Sequence, residues 1–138
     1  MYDGAMRVLL ACSILAACGG KPAPQPPKAP NNELIVGSFE RHPPDGTQVL
    51  AFRGDGSFEL FHDRAAQDKG DAASSGHFTI EADQLTFTNE KGLCADGPAK
   101  TATYKVVVSK LGIHFTKAGD DGCDRRATID GQTWHRFK

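Results

Sequence analysis

The sequence predicts an all-β domain over residues 33–138: a small antiparallel meander of about eight strands that closes into a barrel. Three observations predict it. Apolar residues alternate with polar ones in short runs, which is the period of a half-buried strand. Glycine or Asp-Gly steps interrupt those runs about every 8–12 residues, as hairpin turns do. Pairing the runs through their turns, four times independently, keeps the apolar residues on one face each time. About eight strands in a hundred residues can close on themselves, which removes exposed sheet edges.

Leu34–Phe39 opens the series. Val49–Phe52 and Phe58–His62 flank Gly54-Asp55-Gly56, a three-residue loop in which Gly56 takes the left-handed position and forms a bulge. That loop sets Phe52 beside Phe58 and Leu50 beside Leu60. His62–Gly76 is polar and glycine-bearing, and reads as a short helix or an open loop between hairpins, either mobile or placed at a barrel mouth where it covers a ligand. A turn at Ala82-Asp83 then opposes Glu81 to Gln84, Ile80 to Leu85 and Phe78 to Phe87. Ala102, Tyr104, Val106 and Val108 alternate along a longer strand, and a loop over residues 109–112 pairs Val108 with Ile113 and Val106 with Phe115. Asp130-Gly131 suits a primed turn that sets Ala127 opposite Trp134 and Ile129 opposite Gln132.

Ahead of the domain the chain changes character. Met6-Arg7 supplies a start and a positive charge, Val8–Leu15 an apolar core, and Ala16-Ala17 small residues before Cys18. These are the parts of an export signal. The core is shorter than the ~20 apolar residues a membrane span requires, so it reads as a processed segment. The run Leu15-Ala16-Ala17-Cys18 resembles the signal of bacterial lipoproteins. That resemblance implies a signal peptide over residues 1–17, cleavage before Cys18, acylation of its thiol, and attachment to the bilayer of the cell envelope. Gly19 differs from the aspartate that retains enteric lipoproteins on the inner membrane, which favours the outer membrane, facing the periplasm or the cell surface. Residues 18–32 hold five prolines, Pro22, Pro24, Pro26, Pro27 and Pro30, and read as an extended tether.

The domain resembles the compact lipocalin-like barrels of bacterial envelope proteins. The resemblance rests on Gly37-Ser38-Phe39 at its opening, the meander hairpins, the stretch Asp120–Arg126 around Cys123, and the closing Gly131-x-x-Trp134-x-Arg136. Lipocalins usually carry tryptophan where this chain has Phe39. The resemblance implies a barrel closure made by Phe39, Trp134 and Arg136, in which Trp134 plugs the interior near Gly37 and Phe39 while Arg136 lies over an aromatic face and bonds nearby carbonyls.

Cys94 and Cys123 are the two cysteines left once Cys12 is discarded and Cys18 acylated. In an oxidising compartment they read as one disulfide. With 16 basic against 17 acidic residues and no basic patch interleaved with aromatics, nucleic acid is excluded as a partner. Asp120-Asp121-Gly122-Cys123-Asp124 clusters oxygen donors but lacks the spacing and closing glutamate of a calcium loop. His62, His77, His114 and His135 have no short ligand spacing, so no metal and no cofactor is implied. Ser57, Ser74 and Ser75 lack the strained setting of a nucleophile, and no acid, base and nucleophile group together, so an enzyme is not expected. The expected product is a monomeric, lipid-anchored binding module for a small apolar ligand or an envelope component. A ligand would contact Phe52, Phe58, Leu60, His62, Phe78, Tyr104 and Phe115 from the barrel mouth. The alternative is a structural or protein-interaction lipoprotein whose barrel is filled.

Overall fold

A computed structural model describes residues 29–44 and 46–138, so the export segment, Cys18 and most of the proline-rich stretch lie outside the described residues. Eight antiparallel strands form one closed barrel in simple chain order: β1 (Gly37–Arg41), β2 (Gln48–Phe52), β3 (Ser57–Phe61), β4 (Ser74–Glu81), β5 (Gln84–Gly92), β6 (Thr101–Val108), β7 (Gly112–Lys117) and β8 (Thr133–Arg136). β8 closes the ring by pairing with both β7 and β1.

The first three hairpins have the register that the turn lengths dictate. Phe52 pairs with Phe58, Phe78 with Phe87, and Val106 with Phe115. Gly56 takes a φ of +88°, so the Gly54-Asp55-Gly56 loop makes its left-handed step at the residue that bears it most cheaply.

Two segments depart from expectation, and between them a third takes one of the two forms expected of it. Asn31–Leu34 is a helical turn (α1), its Glu33 and Leu34 amides both donating to the Pro30 carbonyl, and β1 begins only at Gly37. The interval after β3 takes the helical form of the two expected: Arg64–Lys69 is a short helix (α2) with Asp63 accepting from the Ala66 amide at 2.8 Å and Gly70 ending it in the left-handed region. The last hairpin does not form. Asp124–Ala127 coils into a single helical turn (α3), and Trp134 pairs with Ile113 of β7 rather than with Ala127. The turn itself does form, since Gly131 takes a positive φ and the Gln132 amide donates to the Ile129 carbonyl at 2.9 Å, but the Gly131 amide donates to the Phe115 carbonyl, so the turn docks on β7 and not on a strand through Ala127.

Two apolar clusters follow from this layout. The inner one fills the barrel with Phe39, Leu50, Phe52, Phe58, Phe87, Tyr104, Phe115 and Trp134 among others. The outer one sets Val49, Ala51 and Phe61 beneath Ala66, Ala72 and Phe137. β2 therefore buries both faces, which is why Val49-Leu50-Ala51-Phe52 shows no alternation. α2 is pinned over that outer patch by Arg64, which pairs with Glu40 and stacks on Phe137 at 4.1 Å, and by Gln67, which donates to Ser38 at 2.9 Å.

The meander gives the barrel two unlike ends. Short connections at Gly54–Gly56, Ala82-Asp83 and residues 109–111 gather at one, together with α1 and the chain end; this is the turn end. The other, the loop end, carries the long β1–β2, β3–β4, β5–β6 and β7–β8 connections.

Candidate functional site

The barrel interior leaves no room for the apolar ligand that the sequence suggested. Aromatic rings touch one another through its length, from Phe39 to Phe52 (6.1 Å), Phe52 to Phe87 (6.0 Å), Phe87 to Phe115 (6.2 Å) and Phe115 to Trp134 (6.4 Å). Phe78 packs edge-on against Phe52 at 4.9 Å, and Phe58 against Phe87 at 5.1 Å. Such ring pairs add about 0.5–1.5 kcal/mol each beyond their burial. Phe52, Phe78, Tyr104 and Phe115 are thus core, each packed against a neighbouring ring. The small-ligand reading is corrected accordingly: a filled core occupies the place assigned to the ligand.

The concavity that does exist lies above this core, among the loops. It measures about 970 Å³, and Leu50, Phe58, Leu60, Phe87 and Trp134 border it together with Arg41, Arg125, Arg126, His42, His62 and His135. Of the seven residues expected to line a ligand, three (Phe58, Leu60 and His62) reach it, His62 from an exposed bend just beyond β3. Among the described residues no carboxylate borders it.

What builds this end is a covalent link and a buried ion pair. Cys94 and Cys123 form a disulfide with a Cα–Cα distance of 5.9 Å, tying the β5–β6 loop to the β7–β8 loop. Beside it Asp121 and Arg126, whose side chains are 2% and 8% exposed, meet in a two-pronged contact at 2.8 Å. Asp121 also accepts from the Tyr104 hydroxyl at 2.5 Å and from the Cys123 amide at 2.9 Å. The remaining Arg126 donors reach the carbonyls of Lys100 and Ala99 and the Asn89 side chain. Asn89 in turn donates to the Leu93 carbonyl at 2.8 Å. All five guanidinium N–H groups therefore have partners, the condition under which a buried charge is tolerated.

The electrostatics follow from that geometry. Burial pushes the Asp121 carboxyl upward, but hydrogen bonds from Arg126, Tyr104 and the Cys123 amide outweigh it and hold the group below the usual range. Burial first, and then the hydrogen bond to Asp121, push the Tyr104 phenol well above its ordinary value. Neither group is poised to exchange a proton near neutrality. The constellation is a latch.

Arg41 makes the second tie. Its guanidinium donates to Gln48 (2.7 Å) and to the Thr128 carbonyl and hydroxyl (3.1 and 3.0 Å), and lies 4.9 Å over the Trp134 ring. Trp134 is fully buried, and its indole Nε1 has no acceptor among the described residues. At the turn end, Arg136 lies 4.5 Å over Phe39 and donates to the carbonyls of Val36 (2.9 Å), Ser109 (3.1 Å) and Leu34. Gly37, with a φ of +148°, is the residue that permits this: a Cβ there would fall 2.5 Å from the Arg136 Nη1 and 2.7 Å from the Lys138 carbonyl.

Sequence reasoning singled out the acidic stretch around Cys123 but missed Asn89 and Arg41, both buried. Their signal is weak, since each lies on a separate segment and only the closed ring brings them together. The histidines stay apart, and among the described residues no three side chains of the metal-binding types converge. His77 instead pairs with Glu90, and His114 with Thr133.

No protein-family model, curated protein or solved structure matches this chain significantly.

Proposed function

We propose that this chain is a lipid-anchored interaction protein of the bacterial envelope, with an acyl group on Cys18, a proline-rich spacer, and a filled barrel that presents its loop end to a protein partner. The unbroken run of aromatic contacts from Phe39 to Trp134 carries the reading, because a barrel stuffed with rings acts through its outside. The bordering residues of the loop-end concavity suggest the partner's chemistry. Arg126 is neutralised by Asp121, but Arg125 stands exposed without a partner among the described residues, with His42, His62 and His135 around the same hollow. An acidic segment of another envelope protein complements that lining. No catalytic role is part of this reading. Kinship with lipocalin-like domains is supported by the closed meander and by Arg136 over Phe39.

The test is native mass measurement of the protein taken from the membranes that carry it, alongside an Arg125→Glu variant. A co-purifying acidic protein that is retained by the native chain and lost from the variant is the expected result. A small molecule held inside the barrel of both overturns it.

A further inference from the structure

Three large hydrophobic side chains are exposed among the described residues: Leu111 (81%), Val107 (62%) and Val36 (41%). Hydrophobic residues scattered singly over a surface need no explanation. These are gathered. Val36 directly precedes β1, Val107 lies one residue from the end of β6, and Leu111 sits in the β6–β7 turn, so all belong to the turn end. Arg136 joins two of these segments, since its side chain donates to the carbonyls of Val36 and Ser109 and its amide to that of Leu111 at 2.8 Å. Lys110 stands exposed between them. The loop end has no exposed large hydrophobic residue among those described.

The chain also enters the domain at this end. α1 lies against it, with Asn31 donating to the Ala82 carbonyl of the β4–β5 turn at 2.8 Å. Residues 19–30 separate Cys18 from α1 and span at most about 45 Å at the ~3.6 Å per residue of a fully extended chain. An anchor at Cys18 therefore feeds into the end of the barrel that, among the described residues, exposes large apolar side chains.

We infer that the turn end rests on the bilayer, with Leu111, Val107 and Val36 entering the phospholipid headgroup region and Lys110 beside the phosphates. The apolar side chains drive the contact, because Glu33 lies near Lys110 and Asp83 pairs with Lys105 at 3.7 Å, which leaves this end without a strong net charge. The orientation rests on the acylation of Cys18 proposed above, and it turns the Arg125 hollow away from the membrane, toward a partner.

The experiment uses the full acylated chain in vesicles of phosphatidylethanolamine and phosphatidylglycerol whose acyl chains carry bromine, a short-range quencher of indole. Leu111→Trp and, separately, His62→Trp introduce a reporter at each end; both positions are exposed, and the buried Trp134 is a background common to both. Emission from residue 111 is expected to be quenched severalfold more strongly than emission from residue 62, with Val36→Trp behaving like residue 111. Equal quenching, or stronger quenching at residue 62, in protein whose mass confirms acylated Cys18 overturns the orientation and leaves the anchor standing. A mass without the acyl group overturns the anchor and the orientation with it.

Discussion

The two ends of this barrel are closed by different physics. At the turn end one arginine does most of the work: Arg136 covers Phe39 and collects three carbonyls, and the short connections need little else. The loop end has long connections whose ordering costs more, and they are fastened by a disulfide, a fully bonded Asp121–Arg126 pair and Arg41 over Trp134. Stability is therefore concentrated unevenly. Short turns are held by their strands, whereas long loops must bring their own ties.

The largest break in that contrast is Asp121→Ala. It strands the Arg126 charge in a buried site and removes the acceptor of the Tyr104 hydroxyl, so a loss of about 3–5 kcal/mol is expected in chemical denaturation. The effect has a pH signature. The Asp121 carboxyl is held below its ordinary value in the fold, so its contribution is complete above the unfolded value of about 4 and is lost as pH falls through the lowered folded one. The stability gap between native and variant chains should therefore be constant near neutrality and shrink below about pH 4. A gap that persists unchanged at lower pH would show that the carboxylate charge is not what the latch needs.

Next comes the covalent tie. Replacing Cys94 and Cys123 together by alanine opens a loop of 29 residues in the unfolded chain, and the loop-entropy relation gives a cost of roughly 3–4 kcal/mol. Because both cysteines belong to loops, the cross-strand pairs Phe52–Phe58 and Phe78–Phe87 should survive. Thermal unfolding measures the cost, and amide exchange along β2 to β5 checks the pairs. Loss of exchange protection in those strands would mean that the disulfide holds the barrel itself and not only its loops.

How much of this was legible follows from range. Phe52–Phe58, Phe78–Phe87 and Val106–Phe115 were readable because each depends on a short turn and a period of two residues, both local properties. The final hairpin misled because Ala127 and Ile129 alternate as a strand does, while the true neighbours of Trp134 come from β7 and, through the closure, β8 lies beside β1 at the far end of the sequence. Val49-Leu50-Ala51-Phe52 did carry a signal, an unbroken apolar run that calls for a cover on both faces, and α2 is that cover. The latch was least legible. Tyr104 reads as one more apolar strand residue, and nothing local announces that its hydroxyl meets Asp121 17 residues away.

The smallest of these effects tests the turn end. Arg136 forms no ion pair among the described residues, its Nε lacks an acceptor, and burial pulls the guanidinium below its ordinary value, so part of what it gains from three carbonyls is spent on desolvation. Arg136→Met keeps apolar cover over Phe39 and releases carbonyls that lie close enough to solvent to find water. A loss of about 1–2 kcal/mol is expected, less than for Asp121→Ala, where the orphaned group is a buried charge. The loosening should be local: faster amide exchange at Ser38, whose amide donates to the Lys138 carbonyl, with the Cys123 amide at the far end unchanged. A cost equal to that of Asp121→Ala, or exchange quickening at both ends together, would mean that the ring opens as one unit and that the two closures are not separable.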